Sequence, residues 1–175
     1  GLTVKFRPHL FEDGQLTRKA EDLVSSTLEI RARDISGEGT SDLITVGLLE
    51  DASDEFVYGE DEYDLPRHAY SSMGGEYINL RVGTDLMKDI RSTEYDDFHA
   101  WNISIESEKI DNDIELSWGD LSGFEDALHI VINGEAIDMR VENNLELSTT
   151  IEQVVVVVGN VDAYLNPIPS EFGLS

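Results

Sequence analysis

The sequence predicts an all-β fold of the β-sandwich kind, immunoglobulin-like or jelly-roll, with roughly nine to eleven antiparallel strands. Three observations carry that reading. Residues 101–105 and 114–118 (WNISI and IELSW) alternate strictly between apolar and polar, the period of a strand with one buried face. Residues 128–141 alternate on both sides of Asn133-Gly134, the dipeptide of a two-residue type I′ hairpin turn. No stretch carries a long helical pattern, and clusters of Gly, Asn, Asp and Ser punctuate the chain.

The elements follow in order. Residues 2–11 (LTVKFRPHLF) read as an opening strand, confined to an edge or a bulge by Pro8, and 16–22 as a loop or one helical turn. Over 23–34, Val24, Leu28, Ile30 and Ala32 alternate with Glu29, Arg31 and Arg33, a strand with one wet face. The glycines and serines of 36–42 make a turn. Residues 43–49 (LITVGLL) are apolar on both sides, which places that strand centrally. A short strand is expected at 55–58 and another at 76–82. Residues 86–90 suit either a helical turn or the start of a strand.

The two tryptophan runs are expected to pair as a hairpin across the polar connector 108–113 (EKIDND). Trp101 and Trp118 then anchor the core, because aromatic side chains bury the most area. In the Asn133-Gly134 hairpin the turn type fixes the register. Ile132 faces Glu135, Ile130 faces Ile137, Leu128 faces Met139, and His129 faces Asp138 on the other side. Residues 145–147 and 153–159 supply the last strands. Residues 1–160 therefore form one module, and 161–175, with Asn166-Pro167-Ile168-Pro169, a linker and tail.

A chain of 175 residues with 40% apolar content is one domain with a sizeable core. No run of eighteen apolar residues is present, so no helix is expected to insert in a membrane. No signal peptide is visible, and Gly1 reads as a processing boundary. The absence of cysteine excludes disulfides, thiolate metal sites and a cysteine nucleophile. Thirty-seven acids against twelve bases leave a formal charge of −25, which repels nucleic acid and anionic membranes. Three readings of that charge stand side by side. One is a solvated surface that keeps an extracellular protein soluble. Another is a high-salt habitat, where counterions screen the repulsion. The third is calcium at clustered carboxylates.

Residues 34–66 contain no lysine or arginine, and 50–64 hold eight carboxylates in fifteen residues. Calcium is the cofactor such loops would suit, with Asp61, Glu62, Asp64, Asp111 and Asp113 as candidate ligands. The EF-hand spacing is missing, however, and a charged edge that discourages aggregation accounts for the same acids. Tyr58, Tyr63, Tyr70, Tyr77 and Tyr95 lie in or beside loops, where ring faces stack on the C–H faces of sugars. They are the candidate ligand-binding residues. Trp101 and Trp118 each continue an apolar face and belong to the core. For catalysis there is no GxSxG, and His9, His68, His99 and His129 have no metal-ligand spacing. With this many acids, a suitably spaced carboxylate pair carries no information. The chain is therefore expected not to be an enzyme.

A succession of motifs runs through 43–175: EDEYDLP (60–66), KDIRS (88–92), the Trp101 strand, IELSW (114–118), AIDMR (136–140), VVVVVGN (154–160) and PIPSEFGLS (167–175). In order and spacing it resembles the β-sandwich module found upstream of the C-terminal sorting domain in proteins exported by type IX secretion. The Pro-x-x-Phe-x-Leu tail resembles the segment that leads into that sorting domain, which is not itself present. The resemblance implies a module of a larger secreted or outer-surface bacterial protein, without a catalytic signature. Residues 1–42 show no such likeness. The expected role is attachment, through a polysaccharide or surface glycan, with neighbouring domains of the same chain as further partners. The alternatives are a spacer or assembly module without a ligand and, at a distance, a hydrolase domain.

Overall fold

The structure, a computed structural model, describes residues 25–36, 41–64, 77–108, 113–148 and 153–167. Among them the chain forms β1 (Ser25–Asp34), β2 (Ser41–Leu49), β3 (Glu62–Tyr63), β4 (Tyr77–Val82), β5 (Leu86–Ser92) and β6 (Phe98–Glu108). There follow β7 (Ile114–Trp118), β8 (Leu128–Ile132), β9 (Glu135–Asp138), β10 (Asn144–Leu147), β11 (Val154–Gly159) and a one-turn helix α1 (Val161–Leu165). The all-β class is as expected. The strands join in one sheet of order β10-β7-β1-β2-β5-β4-β6-β11-β8-β9, with β3 attached to β5. The sheet curls into a half-barrel. Neighbours along it are antiparallel except β2 and β5, which run parallel.

The two ends of this sheet are consecutive in sequence, since β9 runs into β10 through residues 139–143. That connector is tied to β7. Trp118 Nε1–H donates to the Met139 carbonyl at 2.9 Å, and the Trp118 backbone N–H donates to the Asn143 carbonyl at 3.3 Å. Apolar side chains from most of the strands fill one core. Leu28 and Ile30 of β1, Ile44 and Val46 of β2, Leu80 of β4, Leu116 of β7 and Val156 of β11 share one cluster with both tryptophans. Each such side chain contributes about 1.5–3 kcal/mol by leaving water. β11 does not alternate because it is buried on both faces. Val154, Val156 and Val158 face the main core, while Val155 and Val157 lie under Val161, Tyr164 and Leu165 of α1.

The second hairpin forms in the expected register, with His129 opposite Asp138, Ile130 opposite Ile137 and Ile132 opposite Glu135. Asn133 (φ 48) and Gly134 (φ 87) both adopt the positive φ that a type I′ turn needs. The first hairpin does not form. β6 pairs with β4 and β11, whereas β7 pairs with β1 and β10. Alternation fixes which face a strand buries but not which neighbour takes its edges. Both tryptophans still reach the same core, from different parts of the sheet.

Two further differences are local, and one open choice is decided. The short strand expected at 55–58 is absent; only Tyr58 makes a bridge, to Asp61, and the strand lies at Glu62–Tyr63. Residues 86–90 belong to a strand. Residues 161–165, expected to open the linker, form α1, capped by the Asn160 side chain, which accepts from Ala163 N–H at 3.1 Å. The expected strand at 2–11, the segment 16–22 and the tail from 168 onward lie outside the described residues.

One irregularity positions the site. β4 and β5 pair only at Val82 and Leu86 and then splay apart. Backbone N–H groups along a splay need other acceptors. Two carboxylates serve: Asp42 of β2 accepts from Leu80 N–H of β4, and Asp61 accepts from Ile90 N–H of β5, each at 2.7 Å.

Candidate ligand-binding surface

The acid-rich stretch 50–64 leaves β2 and returns as β3 along β5. Its tip is a tight turn: the N–H groups of Glu60 and Asp61 both donate to the Val57 carbonyl, at 3.0 and 2.9 Å. Asp61 is 3% exposed. Its second oxygen accepts from Val57 N–H at 2.7 Å, so one carboxylate closes the turn and fastens it to β5. Held in this way, the loop carries three aromatic side chains outward. Phe56 is 40%, Tyr58 93% and Tyr63 58% exposed. Phe56 and Tyr63 stack with centroids 4.3 Å apart and planes inclined by 25°. Turning such rings toward water forgoes the burial that usually fixes aromatics in place.

Asp54 of the same stretch lines an acidic cleft. Asp54 accepts from Ser92 N–H at 3.1 Å, and its other neighbour is His99, whose Nε2 lies 3.4 Å away. The cleft has a volume of about 1210 Å³, and Asp54, Glu94, Asp96, Asp97 and Asp126 line it together with Tyr95 and His99. Its floor is knitted by the end of β11. Gly159 N–H donates to the Ala127 carbonyl and Asn160 N–H to the Asp97 carbonyl, both at 2.9 Å. Only glycine fits at 159, where φ is +100° and a Cβ would sit 2.6 Å from the Asp97 carbonyl oxygen.

Two groups in the cleft titrate abnormally. Burial lowers the pKa of His99, opposed by the Asp54 carboxylate and assisted by Arg91. The His99 Nε2 lies 3.0 Å from the Ser92 carbonyl, an acceptor only, so that nitrogen carries the proton. The Tyr95 pKa is pushed up, first by burial and then by Asp126, whose carboxylate accepts the phenol O–H. A neutral His99 and a protonated Tyr95 both act here as loop fasteners.

The residues picked from sequence separate into several places. Tyr58 and Tyr63 share the exposed loop with Phe56. Tyr95 is half-buried in the cleft, and Tyr77 starts β4 opposite Glu108, away from both. Tyr70 and Asp111 lie outside the described residues. Of the candidate metal ligands, Asp61 gives its oxygens to backbone N–H groups, and Asp64 accepts from Arg81 Nε at 2.8 Å. Glu62 lies 3.9 Å from Lys88. Asp113 is exposed, just before β7. Among the described residues no three His, Asp or Glu side chains converge as a metal-holding group. Sequence reasoning passed over Phe56, Asp54, His99 and Asp126. Phe56 was within reach, since it stands two residues from Tyr58 in a polar stretch. The others come together only where two loops meet the start of β6.

The chain matches no protein-family model, no curated protein and no solved structure.

Proposed function

We propose that this chain is a non-catalytic attachment module that binds carbohydrate through the 50–64 loop. The observation that carries the reading is the set of three outward aromatic side chains, Phe56, Tyr58 and Tyr63, on a loop fastened by Asp61. Rigid aromatic faces with adjacent carboxylate acceptors suit a sugar, which offers C–H faces to the rings and hydroxyl donors to the acids. Preorganisation matters because a loop that must be ordered on binding loses affinity. We read the bend at β4–β5 as the seam of a β-sandwich, a frame that leaves its loops free for recognition. A secreted or outer-surface location, in the manner of type IX cargo, belongs to the same proposal. The charge of −25 and the order of motifs support it. Its check is whether a sorting domain follows in the full-length protein.

The spacer alternative draws on the outer strands. β9 and β10 are only four residues long, however, and carry Glu135, Asp138 and Glu146 outward. Short, acidic edges resist pairing with another chain. The direct test is affinity electrophoresis and calorimetry against a panel of soluble polysaccharides. Tyr58→Ala and Tyr63→Ala are each expected to weaken the best ligand about tenfold, or about 1.4 kcal/mol, with the melting temperature unchanged for Tyr58→Ala and slightly lower for Tyr63→Ala, which also loses the stack on Phe56. Undiminished binding by the double variant would refute the site.

A further inference from the structure

We infer that the glycan recognised by this surface is cationic, a polymer of unacetylated amino sugars, in preference to a neutral or an acidic one. The inference deepens the attachment reading and rests on it. Aromatic faces carry the negative lobe of a quadrupole and attract ammonium groups, most strongly where water is excluded. In sequence, exposed Glu55 directly precedes the ring of Phe56, and exposed Glu62 directly precedes that of Tyr63. The bases nearest in the fold already face acids. Lys88 lies 3.9 Å from Glu62, Arg81 2.8 Å from Asp64 and Arg91 3.0 Å from Asp89.

The field does not stop at the loop. Asp54, two residues before Phe56, lines the cleft, where Glu94, Asp96, Asp97 and Asp126 extend the same sign. A concave wall of one sign focuses its potential and concentrates counter-charged ligands. A chain of amino sugars offers both kinds of contact: ring C–H faces for the aromatics, and ammonium groups for the carboxylates. A neutral glucan satisfies the aromatics alone. A polyuronate or sulfated chain would bring like charge into a concave acidic site, an arrangement that selects against it.

An acidic protein attracts any polycation loosely, so the test must separate stacking from charge. Calorimetry is run with glucosamine oligomers, the same oligomers N-acetylated, cello-oligosaccharides, oligogalacturonates and oligolysine. Glucosamine oligomers are expected to bind at least tenfold tighter than their acetylated forms, and more weakly as salt rises. Tyr58→Ala with Tyr63→Ala should lower that affinity at least tenfold, and Glu55→Gln with Glu62→Gln about threefold. Glu146→Gln, on the outer strand β10, should leave it unchanged. Preference for the acetylated or the neutral oligomer overturns the charge inference and leaves the attachment reading standing. Binding to none of the sugars overturns both. If oligolysine binds as tightly and the tyrosine variants change nothing, the affinity is diffuse charge attraction, and the inference falls.

Discussion

Asp61→Asn is the substitution that isolates how the aromatic loop is held. The carboxylate is 3% exposed and accepts two backbone N–H groups, those of Val57 and Ile90, each at 2.7 Å. An amide has nearly the same shape but one acceptor oxygen. Whichever way it turns, its NH₂ meets an N–H donor. One hydrogen bond to a charged group is lost, about 1.5–3 kcal/mol, and a buried donor is stranded, about 1–3 kcal/mol. Partial relaxation of the turn offsets some of this, so the expected loss is about 2–5 kcal/mol, or roughly 5–15 °C in melting temperature. Urea unfolding followed by tryptophan fluorescence measures it, and hydrogen exchange should show Val57 and Ile90 amides losing protection.

Asp42→Asn is the matched control, for Asp42 also caps the splay by accepting from Leu80 N–H at 2.7 Å. Burial raises its pKa above the ordinary 3.8, opposed by the Leu80 and Leu43 N–H groups and by Arg31, while Asp64 adds to the rise. The folded state therefore holds the Asp42 proton more tightly than the unfolded state. Stability from this group falls as pH rises from 3.8 through the raised value. At neutral pH an amide keeps an acceptor for Leu80, and removing the desolvated charge offsets the weakened contact with Leu43 N–H, so Asp42→Asn should lie within about 1 kcal/mol of the parent. Equal stability of Asp61→Asn and parent, or a larger loss from Asp42→Asn, would refute this account of the splay.

Other outcomes follow from the same geometry. Gly159→Ala forces a Cβ to 2.6 Å from the Asp97 carbonyl oxygen at φ +100° and should cost about 2 kcal/mol or more by thermal unfolding. His99 has a lowered pKa, so below its unfolded value of 6.5 the unfolded chain binds the extra proton and stability falls as pH drops; the difference between parent and His99→Gln across that range should show the loss disappearing in the variant. With a charge of −25, sodium chloride should raise the melting temperature as the Debye length shortens from roughly 30 Å at 0.01 M to about 8 Å at 0.15 M. At equal ionic strength calcium should match magnesium, because Asp61 and Asp64 already face Val57, Ile90 and Arg81; a rise with calcium alone, abolished by Asp64→Ala, would place a cation on that loop.

What the sequence disclosed follows the range of each signal. The Asn133-Gly134 turn was legible to the residue pair, because a two-residue loop with two positive φ values leaves one register. The burial of Trp101 and Trp118 was legible from alternation. Their pairing was not, because both strands keep the same inward face whether they are neighbours or lie apart in one sheet. The parallel contact of β2 with β5 leaves no mark in either strand's composition. In the site, Tyr58 and Tyr63 could be picked out as polar-loop aromatics. The Asp54–His99 contact joins residues 45 positions apart and is set by the tertiary course of β5 and β6.

The acidity of the chain acquires a more specific meaning from the bend in the sheet. Where β4 leaves β5, a regular strand would have supplied carbonyl oxygens to both edges; here Asp42 and Asp61 supply carboxylates instead. Asp54 does the same for Ser92 N–H at the end of β5, and Asp64 holds Arg81 of β4. Several acids of the base-free stretch 34–66 are thus acceptors that the backbone geometry demands, not surplus charge. A carboxylate is well suited to this work, because its two oxygens can span two segments of chain that no longer pair with each other. Glu55 and Glu62 are exposed and stand next in sequence to the outward rings of Phe56 and Tyr63, with Glu62 also 3.9 Å from Lys88. Neutralising Asp61 should therefore act mainly on stability and on the order of the loop, whereas neutralising Glu55 and Glu62 should act on affinity with stability unchanged.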